Sequence, residues 1–147
     1  MWQGRGKLTC ADGDVYDGDW HMGQRHGRGK LTSANGDVYE GDFVKDRRKG
    51  QGKLTWAADG EVYEGGWRKN RYHGVGKFSW ASGDVYEGDW KDGSYHGRGK
   101  LAWAKGGAVY EGDWKDNECD GCGKITFANG AVQQGAFFKN NALQFSE

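Results

Sequence analysis

"YEGDWKDGSYHGRGK", residues 86–100, sets an aromatic pair, Tyr86 and Trp90, among four glycines and closes on Gly-x-Gly-Lys. A period of two runs through it. Tyr86, Gly88 and Trp90 share one parity against Val85, Glu87 and Asp89. Further on, Gly97, Gly99, Leu101 and Trp103 alternate with Arg98, Lys100 and Ala102. Such alternation reads as two half-buried strands, and the short segment between them makes a β-hairpin.

The phrase recurs. Tyr-acid-Gly-x-aromatic begins at Tyr16, Tyr39, Tyr63, Tyr86 and Tyr110, with a degenerate copy at Gln133, at spacings of 23 or 24 residues. Eleven residues after each start stands a Gly-x-Gly-Lys: Gly27–Lys30, Gly50–Lys53, Gly74–Lys77, Gly97–Lys100 and Gly121–Lys124, with an earlier half copy at Gly4–Lys7. A fixed period of this length marks a repeat array in which each unit is one supersecondary motif. The expected fold is all-β: a single-layer antiparallel meander of tandem hairpins, twelve strands in all. A sheet of that length twists or curls.

Register follows from the turns. A three-residue loop Ala34-Asn35-Gly36, with glycine in the left-handed position, sets Leu31 opposite Tyr39, Lys30 opposite Glu40, Gly29 opposite Gly41 and Arg28 opposite Asp42. The same rule pairs Lys7 with Asp17, Lys53 with Glu64, Lys77 with Glu87 and Lys100 with Glu111. The longer units carry their extra residue in the turn ("WAADGE", "WAKGGA"). Opposed glycines leave a trough in the pleat on which neighbouring rings can lie, which explains a residue otherwise costly in strands.

Composition narrows the function. The chain has 147 residues, 28 Gly, no Pro and eight Trp; its 21 basic and 21 acidic residues cancel. The mean hydropathy is −0.97. Zero net charge removes the field that announces a nucleic-acid binder. Three cysteines are too few for a disulfide scaffold, and there is neither a long apolar run nor a signal-peptide core. The expectation is an intracellular, cytoplasmic protein.

These phrases resemble the MORN repeat family, whose pattern is Tyr-Glu-Gly-x-Trp, a short loop, His-Gly-x-Gly, and a turn with Asp/Asn-Gly. Tyr86-Glu87-Gly88-Asp89-Trp90, His96-Gly97-Arg98-Gly99 and Ser82-Gly83 carry the match. Departures fall at Lys49-Gly50, Asp120-Gly121 and Phe43. The array is read as residues 1–138, with a half repeat at 4–15, repeats starting at 16, 39, 63, 86 and 110, and the degenerate copy at 133. Residues 139–147 remain as a C-terminal tail or cap. The resemblance implies a binding module at membranes or cytoskeletal structures. Such modules take helical or extended segments along the sheet, or a second copy through the repeat ends, and phosphoinositide binding has been proposed for them.

Parity gathers Trp20, Tyr39, Trp56, Tyr63, Trp67, Trp80, Tyr86, Trp90, Trp103, Tyr110 and Trp114 on one face, the expected partner-binding groove. Trp56, Trp80 and Trp103 stand out because they lie just before the turns, outside the Tyr–Gly–Trp nucleus, and Trp is a frequent interface anchor. The hairpin tips are acidic at Asp12, Asp14, Asp37, Asp59, Glu61 and Asp84. The opposite edge is basic at Arg25, His26, Lys45, Arg47, Arg48, Lys49, Arg68, Lys69 and Arg71. Lys45, Arg47, Arg48, Lys49, Arg68, Lys69 and Arg71 form the expected contact with anionic lipid headgroups.

Signals for chemistry are weak. Gly-x-Gly-Lys runs on into Leu, Phe or Ile inside a strand, whereas a phosphate loop needs Gly-Lys-Ser/Thr opening a helix. His26, His73 and His96 occupy one repeat position, with neighbouring copies about 10 Å apart, too far to share a metal. Cys119-Asp-Gly-Cys122 is a CxxC without a second half-site. The expectation is a non-enzymatic protein–protein scaffold without catalytic residues, metal or cofactor. The alternative is a membrane-proximal adaptor.

Overall fold

The repeat phrase becomes one open sheet. The computed structural model describes residues 3–138 and 142–144, and its thirteen strands lie side by side in chain order. They are β1 (Gly4–Thr9), β2 (Val15–His21), β3 (Gln24–Thr32), β4 (Val38–Val44), β5 (Arg47–Thr55), β6 (Val62–Arg68) and β7 (Arg71–Ser79), followed by β8 (Val85–Lys91), β9 (Ser94–Ala102), β10 (Val109–Lys115), β11 (Glu118–Thr126), β12 (Val132–Phe138) and β13 (Ala142–Gln144). Every neighbour is antiparallel, and no helix occurs among the described residues. The expected single-layer meander is therefore the observed fold. It carries one strand more than the twelve expected, since β13 falls in the segment read as a tail or cap and pairs with β12. Residues 139–141 and 145–147 of that segment lie outside the described residues.

Register agrees with the turn argument. Leu31 stands opposite Tyr39, Lys30 opposite Glu40, Gly29 opposite Gly41 and Arg28 opposite Asp42. Lys7 meets Asp17, Lys53 meets Glu64, Lys77 meets Glu87 and Lys100 meets Glu111. The loop Ala34-Asn35-Gly36 is closed by Ser33 N–H donating to Asp37 O at 2.8 Å, with Gly36 at φ +96°. In the longer unit the closing bond runs from Trp56 N–H to Glu61 O at 2.8 Å, so the extra residue sits in the turn.

The opposite edge uses two-residue turns with both φ angles positive, as at Lys45 (49°) and Asp46 (67°) or Lys69 (48°) and Asn70 (66°). That is the primed geometry whose twist matches a hairpin. Between turn and ladder lies a feature that period-two reading missed. In β6–β7, Gly65 pairs with Gly76 and Trp67 with Tyr72, leaving Gly66 alone against three residues. The same bulge recurs in β2–β3, β4–β5, β8–β9 and β10–β11. Strands β3, β5, β7, β9 and β11 are consequently nine residues long, against seven in β2, β4, β6, β8 and β10.

The bulge explains the tyrosine. Tyr63 lies across Gly76, where an added Cβ would stand 2.5 Å from Tyr63 Cζ, and its hydroxyl donates to Gly66 O at 2.7 Å. The carbonyl that the bulge removes from the ladder is thereby satisfied. Tyr16, Tyr39, Tyr86 and Tyr110 repeat the arrangement on Asp19, Asp42, Asp89 and Asp113. Trp67 donates its indole N–H to Gly52 O on the preceding strand at 2.9 Å, and Trp20, Trp90 and Trp114 act alike. Trp67, Trp90 and Trp114 each meet their own tyrosine edge-on, Tyr63–Trp67 at 5.1 Å, and the tyrosine of the preceding repeat, Tyr39–Trp67 at 5.3 Å. Such edge-on pairs contribute about 0.5–1.5 kcal/mol each beyond their burial. They make a continuous core one side chain thick.

Candidate functional site: the aromatic face

The eleven residues read as a groove divide by depth. Tyr39, Tyr63, Tyr86 and Tyr110 are 0–2% exposed, and Trp67, Trp90 and Trp114 are 4–5% exposed. These form the floor of the face and have little surface to offer. Trp20, Trp56, Trp80 and Trp103 are half-buried and pack against that floor. Trp56 leans on Phe78 at 5.4 Å and Trp80 on Phe78 at 4.7 Å, so the row before the turns is anchored and still open to solvent.

Above the floor sits a set of residues absent from the predicted groove. The ninth residue after each repeat tyrosine is Arg25, Arg48, Tyr72 or Tyr95 in the first four repeats. Tyr72 stacks on Tyr63 at 4.1 Å and Tyr95 on Tyr86 at 4.2 Å. In the first two repeats an arginine takes that place. Arg25 lies 5.2 Å from the Phe43 ring and Arg48 lies 4.6 Å from Trp67. All four are flat side chains laid on rings, and counting parity back from each Gly-x-Gly would have found them.

Arg48, expected on the basic edge, therefore lies on the aromatic face, half-buried over Trp67 and Tyr39. Its guanidinium is bound by Asn70, with Nε donating to Oδ1 at 3.3 Å. Arg25 is bound by Asp46 in the equivalent way, Nε to Oδ1 at 3.2 Å. The remaining residues of the basic set, Lys45, Arg47, Lys49, Arg68, Lys69 and Arg71, are exposed. Arg47, Arg68, Lys69 and Arg71 converge with Asp92 on a cavity of about 440 Å³. A second cavity, of about 390 Å³, opens on the aromatic face between Arg48, Leu54, Trp56, Trp67, Arg71 and Tyr72.

Both edges are laced. Asp14, Asp37 and Asp84 each accept, through Oδ1, the backbone N–H of Ala34, Ala57 or Ala104 in the following tip at 2.8–2.9 Å. Glu61 does the same for Ala81 at 3.2 Å. The acidic tips are thus structural acceptors as well as solvated charges. On the other edge Asp46, Asn70 and Asn117 accept the backbone N–H of Arg25, Arg48 and Tyr95. His26 and His73 accept from the N–H of Lys45 and Asp92, tying their strands to the next turn. Ion pairs on the polar face are made by arginine, Arg28–Asp42 at 3.3 Å and Arg98–Asp113 at 3.1 Å, and the Lys–Glu rungs stand in register beside them.

Burial acts on the tyrosines. It pushes Tyr16 and Tyr72 up to about 12, and raises Tyr39, Tyr63, Tyr86 and Tyr95 as well. All stay neutral at physiological pH, and Tyr16, Tyr39, Tyr63 and Tyr86 keep their donated hydrogen bonds. Among the described residues no group of three or more His, Cys, Asp or Glu is placed to hold a metal ion. Cys122 is an exposed thiol, while the Cys119 side chain of the CxxC lies outside the described residues.

Comparison with curated proteins gave no match. Similarity to solved structures is at the level of the chain trace. The SAS-4 (dCPAP) TCP domain of Drosophila melanogaster, in complex with a proline-rich motif of Ana2 (dSTIL), is 13% identical with a TM-score of 0.49 over 97% of this chain and 89% of that one. The TCP10c domain of Drosophila melanogaster Sas-4 is 12% identical with a TM-score of 0.44, over 90% of this chain and 92% of that one. A family model described as MORN repeat matches residues 1–15, 16–38, 39–60, 63–85, 86–108 and 110–132, ending just before the degenerate copy at Gln133. With the Tyr–Gly–Trp nucleus seated in phase along nearly the whole sheet, this chain belongs to the MORN repeat family.

Proposed function

We propose that this chain is a non-enzymatic protein-interaction scaffold that takes a helical or extended segment along its aromatic face. The carrying observation is the row of half-buried Trp56, Trp80 and Trp103 on a face that no second layer of the described residues covers. A tryptophan with its base packed and its edge in water is a preorganised anchor, since little conformational freedom remains to be lost on binding. Random peptides displayed on phage and selected on the immobilised chain test this. Trp56→Ala and Trp80→Ala should each weaken the selected peptides about thirtyfold or more while circular dichroism stays folded. Unchanged affinities would remove the face from consideration.

A second reading is favoured by the cavity that Arg47, Arg68, Lys69 and Arg71 share. Four cations at one edge suit an anionic headgroup, which makes the chain a membrane-proximal adaptor. Flotation with phosphoinositide-containing vesicles should fall when Arg47, Arg68, Lys69 and Arg71 become Glu. Absence of flotation at low salt excludes it.

A further inference from the structure

Positions that are equivalent by repeat carry unequal charge balance. Arg25 and Arg48 have the same place, the same kind of ring contact and the same backbone clamp from the next turn. Arg25 meets a carboxylate, Asp46 Oδ1 at 3.2 Å. Arg48 meets an amide instead, Nε to Asn70 Oδ1 at 3.3 Å and Nη2 to Asn70 O at 3.2 Å. Among the described residues Arg48 has no carboxylate partner, and the cation Arg25 is close enough to act on it. Burial weakens its hold on the proton most; Tyr39 and Tyr72 act against this, and Arg25 adds to it. A half-buried guanidinium without a counter-ion is costly and receives a carboxylate strongly, through bidentate charge-assisted hydrogen bonds.

The surroundings fit such an arrival. Arg48 lines the cavity of about 390 Å³ on the aromatic face together with Leu54, Trp56, Trp67 and Tyr72, and the exposed Arg71 adds a second cation. Asp37 lines the same cavity, but its oxygens are engaged by Ala57 N–H at 2.9 Å and Asn35 Nδ2 at 3.3 Å. We infer that Arg48 is a carboxylate-reading position, and that the segment bound on the aromatic face presents an Asp or Glu to it beside an apolar side chain that fills the space against Trp56 and Tyr72. This rests on the aromatic face being the binding surface. It adds a register to that surface: one acidic residue, placed over the β5–β6 hairpin, fixes where along the array the segment lies.

The test uses the same displayed random peptides. Peptides selected on the wild-type chain should share a carboxylate next to an apolar or aromatic residue, and changing that Asp or Glu to its amide should weaken binding about tenfold or more. Arg48→Gln should abolish that difference. Because Arg48 also packs on Trp67, a second variant guards against loss of fold. Asn70→Asp supplies the carboxylate internally, as Asp46 does for Arg25, and should abolish the difference while the sheet stays folded. Peptides whose binding depends on Trp56 but which carry no acidic position would overturn the carboxylate assignment and leave the aromatic face standing. An acid-to-amide difference that persists in Asn70→Asp would also overturn it. Failure to select any peptide that depends on Trp56 would remove the aromatic face and this inference together.

Discussion

The Tyr–Gly contact is a close joint that recurs in each repeat. Gly76→Ala puts a Cβ against the Tyr63 ring, which its hydroxyl's bond to Gly66 O ties to the bulge. We expect a loss of about 2–3 kcal/mol, read as a lower urea midpoint. Tyr63→Phe keeps the ring and leaves Gly66 O without its donor, a smaller loss of about 1–2 kcal/mol. Equal effects from the two substitutions would contradict this division. The glycine trough was legible because glycines opposed in register mark a place where something bulky must approach the backbone. Arg48 was misplaced for a different reason. Its letters belong to a basic run and read as charge, whereas its parity with Gly50 and Gly52 assigns it to the aromatic face, over the Trp67 ring.

For the hairpin, the sequence told half. Register counted from the glycine-containing tips was right because a short turn of defined type leaves one pairing. It could not reach past the bulge, where one residue faces three and the count restarts. The side chain that holds the bulge shows why Asp recurs there: Asp89 Oδ2 accepts Arg98 N–H at 3.1 Å, as Asp19 and Asp42 do for Arg28 and Gln51. Asp89→Ala should cost about 1 kcal/mol and raise hydrogen exchange at Arg98. Loss of protection spread evenly along the sheet would mean that the bulge is held by something else. The third repeat has Gly66 at this position, so its bulge relies on Tyr63 without a carboxylate's help.

Across the whole molecule, stability is a sum over like neighbours. Deleting residues 63–85, one matched repeat, joins Val62 to Tyr86, the equivalent of Tyr63. The product should fold, with a smaller m-value in proportion to the surface lost. A chain that no longer unfolds cooperatively would contradict this. The desolvated tyrosines also set an alkaline limit. The unfolded chain releases phenolic protons near pH 10, whereas Tyr16 and Tyr72 hold theirs to about 12 when folded. Their contribution is fully present below the unfolded value and is lost as pH rises through the folded one. Urea midpoints should therefore drop steeply above pH 10, with tyrosinate absorbance lagging until the sheet opens. Tyrosinate appearing at its ordinary pH in a folded chain would refute this.

The laces between hairpins each tie one repeat to the next: Asp14 to Ala34, Asp37 to Ala57, Asp84 to Ala104, and Arg48 to Asn70. Among the described residues no strand needs a partner from beyond the next turn. A ribosome delivering about 5–20 residues per second releases one repeat in roughly one to five seconds. A hairpin closes in about 1–10 μs. Each unit can thus dock on a finished template before its successor exists, and the nascent sheet lengthens strand by strand at its growing edge.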